Sequence, residues 1–124
     1  MTTKVLAIDD SRTIRNLLRI SLEGAGFEFH CACDGVEGVE MFPEVEPDVV
    51  ITDINMPNMD GFGVIDTLRS GPSKTSVPII VLTTESSDDL KRRARDSGAT
   101  GWIVKPFDDE SLVKVLQRLT GHAA

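Results

Sequence analysis

A doubly wound α/β domain, with five parallel strands and helices on both faces of the sheet, is what the 124-residue sequence predicts. Three observations carry that prediction. Short apolar runs of strand length recur along the chain, and a stretch with helical period follows each of them. The runs are nearly continuous rather than alternating, so both faces of most strands must be covered. Right-handed crossovers between parallel neighbours then leave few topologies.

The first strand is Val5-Leu6-Ala7-Ile8, ending in Asp9-Asp10. From Ser11 the period changes: Ile14, Leu17, Leu18, Ser21, Leu22 and Ala25 fall on one helical face, closed by Gly24 and Gly26. Phe27 to Cys33 alternates, with Phe27, Phe29, Cys31 and Cys33 on one side, as an edge strand does. A second helix runs from about Gly35 to Val45, weakened by Gly38 and Pro43. Val49-Val50-Ile51-Thr52 is the third strand and runs into Asp53. Asp60 is placed to cap a helix carrying Val64, Ile65 and Leu68, closed by Ser70-Gly71-Pro72. Pro78-Ile79-Ile80-Val81-Leu82 is the fourth strand and ends in Thr83. Ser86-Ser87-Asp88-Asp89 offers a capping box for a helix ending at Gly98. Trp102-Ile103-Val104 is the fifth strand and leads into Lys105-Pro106, and the last helix sets Leu112, Val115, Leu116 and Leu119 on one face. No repeat, low-complexity tract or linker interrupts the pattern, so residues 1–124 read as a single domain.

Twenty Asp and Glu against thirteen Lys and Arg leave a net charge of −7, which argues against a broad nucleic-acid footprint. Cys31 and Cys33 fit no zinc or redox spacing. No apolar run approaches the ~18 residues of a membrane span, and the N-terminus leads into a strand rather than a signal peptide. A cytoplasmic location is therefore expected.

Open parallel sheets bind ligands beyond the carboxyl ends of their strands. Those ends carry Asp9 and Asp10, Asp53, Thr83 and Lys105. Taken singly, Asp10 reads as a helix cap, Lys105 as a solvated loop lysine and Thr83 as a strand residue. Their convergence on one edge is the signal. Three clustered carboxylates need a proton or a cation, and oxygen donors without His or Cys select a hard ion such as Mg²⁺. An Asp placed beside such a metal, an ammonium and a hydroxyl is equipped to attack phosphorus and form an acyl phosphate.

The segments around Asp9-Asp10, Asp53-Ile54-Asn55-Met56-Pro57, Leu82-Thr83-Thr84-Glu85 and Lys105-Pro106-Phe107 resemble two-component response-regulator receiver domains, over residues 4 to about 119. More narrowly they are similar to the single-domain chemotaxis regulators of that family. The resemblance implies a flavodoxin-like sheet of order 2-1-3-4-5. It implies that Asp53 accepts phosphate from a histidine kinase or its phosphotransfer domain. Asp10, Asp53 and the Asn55 backbone carbonyl would ligate Mg²⁺, with Asp9 acting through water. Lys105, next to a cis bond to Pro106, would pair with the phosphoryl group, and Thr83 would hydrogen-bond it. Trp102 takes the switch position, where Tyr or Phe is commoner, and Thr84 replaces a smaller residue. Asn55 and Glu85 would tune dephosphorylation.

Such a protein is not a conventional enzyme, although it catalyses its own Mg²⁺-dependent phosphorylation and dephosphorylation. The implied output surface is helix four, strand five and helix five, binding the flagellar motor switch. A phosphate sink that drains the kinase is the alternative. Lys91, Arg92, Arg93 and Arg95 form a basic cluster for an acidic partner or a solvated face. Arg12, Arg15 and Arg19 form a stripe for the phosphate donor or for solubility. A monomer without DNA-binding module or membrane contact is expected. His30 and His122 read as structural, and Cys31 and Cys33 as core packing. A flavodoxin-like carrier is disfavoured because Asp9-Asp10 would repel a flavin phosphate. A haloacid-dehalogenase-like phosphatase would need an Asp where Asn55 stands.

Overall fold

The computed structural model describes residues 2–71 and 74–122. The elements alternate as β1 (Lys4–Ile8), α1 (Arg12–Gly24), β2 (Glu28–Ala32), α2 (Gly35–Val45), β3 (Val49–Thr52), α3 (Gly61–Ser70), β4 (Ile79–Thr83), α4 (Asp88–Ser97), β5 (Gly101–Val104) and α5 (Asp109–Thr120). All neighbouring strands pair in parallel, in the order β2-β1-β3-β4-β5. This is the order the resemblance implies. Among the described residues no helix is long and apolar enough to cross a membrane.

Strand side chains alternate between two cores. Leu6, Ile8, Val50, Ile79 and Val81 face α2, α3 and α4, where they meet Phe42, Ile65, Leu68 and Ala94. Val5, Ala7, Val49, Ile51, Ile80 and Leu82 face α1 and α5, where they meet Leu18, Leu22, Leu112 and Leu116. Burying a Leu or Ile completely contributes roughly 1.5–3 kcal/mol, so these two layers supply most of the driving force. α2 crosses β1 closely because Gly38 has no side chain, and a Cβ there would strike Ile8. That close approach explains a glycine which, on propensity alone, weakens the helix.

Several local expectations are corrected. β2 is shorter than the alternating run, and Cys33 lies beyond it, exposed, while Cys31 is only part-buried against the α1–α5 core. Leu17 is 48% exposed, because the row Ile14, Leu18 and Leu22 faces the sheet and Leu17 falls to one side of it. The capping box expected before α4 does not close. Ser87 is the N-cap, accepting from the Leu90 N–H, and Asp89 pairs with Arg92 at 3.5 Å instead. A near-equivalent forms before α2: Asp34 accepts from the Glu37 N–H, and the Glu37 carboxylate accepts from the Cys33 N–H at 2.8 Å. That reciprocal pair starts α2 despite its glycines and Pro43. β4 begins at Ile79, one residue later than expected because Pro78 stays outside it, and it ends in Thr83 as the sequence predicts. α3 does end at Ser70–Gly71, and Pro72 lies outside the described residues.

Candidate functional site

The four strand ends β1, β3, β4 and β5 sit side by side in the sheet, so the residues that close them share one edge. Asp9 follows β1 and is 2% exposed. Its carboxylate accepts from the Ser11 N–H and from the Lys105 ammonium, each at 2.8 Å. Asp53 follows β3; its carboxylate accepts from the Ile54 N–H at 2.6 Å and from Lys105 Nζ at 2.9 Å. Lys105 reaches both acids because its backbone N–H continues the β4–β5 pairing, donating to the Thr83 carbonyl at 2.7 Å. The Lys105–Pro106 bond is cis.

Asp10 is exposed. Ser11, not Asp10, caps α1, so Asp10 has no capping duty. Carboxylate oxygens of Asp9, Asp10 and Asp53 all lie within 4.8 Å of one another. Burial pushes the Asp9 carboxyl above its ordinary value, against the bonds from Lys105 and Ser11. Burial pulls Lys105 down, but its bonds to Asp9 and Asp53 outweigh this and hold the ammonium above its usual value. One ammonium thus serves two of three carboxylates, and the cluster keeps a surplus of negative charge facing water. All-oxygen donors with that surplus fit a hard divalent cation, Mg²⁺ before any softer metal.

The rim of the site centres on Glu85. Its backbone N–H donates to Thr83 Oγ1 at 3.4 Å, and its carbonyl accepts from the Trp102 indole at 3.0 Å. Its carboxylate accepts from the Asn55 side-chain amide at 3.2 Å. Thr83 is buried, Trp102 part-buried, and Asn55 and Thr84 exposed. The structure therefore joins Thr83, Trp102 and Asn55, all singled out in the sequence, through Glu85, a linkage that spacing alone did not suggest. Sequence reasoning also missed Gly61, where a Cβ would strike the Asp53 carbonyl. A glycine directly after the cap residue Asp60 was the available signal.

Chemically, the arrangement presents a carboxylate next to an ammonium, a buried hydroxyl that accepts from one backbone N–H, and oxygen donors for a cation. Those are the groups a phosphoryl acceptor needs.

The basic groups are less free than their sequence suggests. Arg93 lies over Phe62 at 3.9 Å, tying α4 to α3. Lys91 and Arg95 flank a groove of about 180 Å³ between α4 and β5, floored by Ala94, Ala99 and Gly101. On α1, Arg12 is exposed and Arg19 lies over Phe29 at 5.0 Å, whereas Arg15 donates to the Asp9 carbonyl. His122 stacks on Phe27 at 4.1 Å and bonds Thr3 Oγ1, and His30 bonds Glu28 at 2.6 Å, so neither is bonded to Asp9, Asp10 or Asp53.

The family model described as the response regulator receiver domain matches residues 5–117. The regulatory protein AtoC of Escherichia coli is 35% identical over 115 residues, which cover 93% of this chain and 24% of that protein. The DNA-binding dual master transcriptional regulator RpaA of Synechocystis is 34% identical over 116 residues, 94% of this chain and 48% of that protein. The chain thus spans between about a quarter and about half of these curated relatives. Among solved structures, chemotaxis protein CheY4 of Vibrio cholerae superposes with a TM-score of 0.90 at 43% identity, covering 96% of this chain and 99% of that one. The receiver domain of the Francisella response regulator 1452 gives 0.90 at 28% identity, covering 97% and 98%.

Proposed function

The chain belongs to the response regulator receiver domain family, and on that premise we propose that it is a stand-alone chemotaxis regulator that takes a phosphoryl group onto Asp53. The donor is a histidine kinase or its phosphotransfer domain, the setting the cytoplasm, and the output binding to the flagellar motor switch. One observation supports the chemistry above all others: Lys105 holds Asp9 and Asp53 together beside Asp10, with the Thr83 hydroxyl on the adjoining strand end. The chemotaxis assignment rests on the 43% identity to CheY4, which extends over 99% of that chain.

In the proposed reaction a carboxylate oxygen of Asp53 attacks the phosphorus of a phosphohistidine. The P–N bond breaks, the imidazole leaves, and an acyl phosphate forms. Lys105 leaves Asp53 Oδ2 for a phosphoryl oxygen while keeping Asp9. Thr83 turns its proton toward another phosphoryl oxygen and lets go of the Glu85 N–H. Asp10, Asp53 and the Asn55 backbone carbonyl would be the ligands of Mg²⁺ and Asp9 an indirect one, and the bound ion would supply neutralisation of the equatorial oxygens. Asn55 and Glu85, already bonded across the rim, orient the water that later hydrolyses the acyl phosphate.

Phosphorylation adds roughly 1.5–2 negative charges. Moving a switch from 1:99 to 99:1 takes about 5.5 kcal/mol of differential stabilisation, within reach of several charge-assisted bonds made only in the modified state. Because Thr83 and Trp102 both end on Glu85, moving the hydroxyl frees the loop that holds the indole. The signal then passes to α4, β5 and α5.

Intact mass after incubation with a small acyl-phosphate donor tests the site. A single adduct that requires Mg²⁺ and vanishes in Asp53→Asn is expected. No adduct at the earliest times overturns the assignment. An adduct without binding to motor-switch protein leaves the phosphate-sink role in place of the motor output.

A further inference from the structure

We infer that Arg15 is a positioning residue for the acidic turn, holding Asp10 in place to receive Mg²⁺; this rests on the metal reading above. Arg12, Arg15 and Arg19 share a stripe of α1, yet only Arg15 turns to the site. Its Nη1 donates to the Asp9 backbone carbonyl at 2.6 Å, in part-buried surroundings. That carbonyl belongs to the peptide plane that joins Asp9 to Asp10, so fixing its direction fixes the direction in which Asp10 leaves the turn.

The rest of Asp9 is fixed by other partners. Its N–H donates to the Ala32 carbonyl at 3.1 Å, and its carboxylate is held by Ser11 and Lys105. Asp10 lacks such support, being exposed and relieved of capping by Ser11. The guanidinium is therefore what carries the order of β1 and α1 one residue further, to the carboxylate nearest water. A planar fork on a long stem suits that task, since it spans from the second turn of the helix back to the turn before it.

Two effects of Arg15 on a bound dication have opposite signs. Its positive charge repels a cation, so charge alone makes its removal tighten Mg²⁺ binding. Its hold on the turn pre-orders a ligand, so positioning makes its removal weaken Mg²⁺ binding. Outer-sphere partners of metal ligands typically contribute 10–100-fold in affinity. For a site this open, the lower end of that range outweighs a screened charge.

The experiment measures Mn²⁺ binding to the full chain from loss of the free-ion paramagnetic resonance signal, with Mg²⁺ as competitor, for the parent, Arg15→Gln, Arg15→Lys and Arg12→Ala. Circular dichroism at the assay temperature confirms that each is folded. Arg15→Gln is expected to bind about tenfold more weakly. Arg15→Lys, which keeps a charged donor on a shorter reach, falls between it and the parent, and it carries the test if Arg15→Gln does not fold. Arg12→Ala stays within twofold of the parent. A variant that is folded but merely less stable keeps the parent affinity, so destabilisation cannot mimic the result. Binding by Arg15→Gln as tight as the parent's, or tighter, overturns the positioning role and leaves the metal reading intact. A parent that binds neither ion overturns the metal reading itself, and this inference with it.

Discussion

Replacing Lys105 with Met removes the one ammonium that bridges Asp9 and Asp53. The side chains involved are 10%, 3% and 11% exposed, so neither carboxylate can recover full hydration after the change. Removing one partner of a buried ion pair costs about 3–5 kcal/mol, mostly from the charge left behind. Asp10 and the open mouth of the site admit water, which favours the lower end, about 3 kcal/mol. In a domain of this size that corresponds to a melting temperature about 12 °C lower. Urea unfolding followed by circular dichroism, in EDTA at neutral pH, measures the loss as a shift in midpoint at constant slope.

The pH dependence follows from Asp9, whose carboxyl is already pushed upward by burial. A carboxyl raised in the folded state contributes stability that is present below its unfolded pKa and lost as pH rises through the folded one. Losing the Lys105 bonds raises Asp9 further, so the deficit is largest at neutral pH and narrows as pH falls and the carboxyl takes up its proton. Saturating Mg²⁺ raises the variant more than the parent, because the dication replaces the missing charge. A loss below about 1 kcal/mol in EDTA, or a deficit that widens on acidification, refutes this account of the cluster.

Three further outcomes are expected. Phosphorylated protein with Mg²⁺ loses its phosphate quickly, and Glu85→Ala, which frees the Asn55 amide, slows that decay several-fold; phosphate on the parent that persists for hours in intact-mass time courses contradicts the role of the pair. Arg69→Ala removes guanidinium bonds to the Gly98 and Thr75 carbonyls at 2.9 and 2.8 Å, which costs about 2–3 kcal/mol in urea unfolding; an unchanged midpoint excludes Arg69 as the tie between α3 and the end of α4. Gly61→Ala forces a Cβ against the Asp53 carbonyl, so it lowers both stability and phosphorylation rate, and a variant with parental values of both shows that the turn has room to yield.

The parallel sheet was legible because its central strands β3 and β4 bury both faces, which writes continuous apolar runs such as Ile79–Leu82 into the chain. The chemistry-bearing strand ends were legible for a related reason: a run of buried apolar residues that stops at Asp, Thr or Lys marks where the chain leaves the sheet. The contacts around those ends were not legible. Lys105 lies 96 residues from Asp9, Glu85 lies 30 from Asn55, and Arg15 faces a carbonyl, which every residue has. Such pairs depend on how elements dock, and no local pattern encodes them. Leu17 and Cys33 misled for the opposite reason. Each fits the period of a buried face, but that face is narrower on α1, and shorter on β2, than the period alone suggests.

Trp102 is the chain's single tryptophan, and its indole N–H ends on the same residue that touches Thr83 and Asn55. The protein therefore carries its own optical probe. Excitation at the indole band reports on one ring at one known place, without label or engineered substitution. Releasing Glu85 removes the indole's hydrogen-bond acceptor and changes the polarity around the ring, so the emission maximum and lifetime follow the rim loop in real time. If Asp53 takes up phosphate as proposed, stopped-flow emission resolves its arrival and its loss as separate phases in a single cuvette.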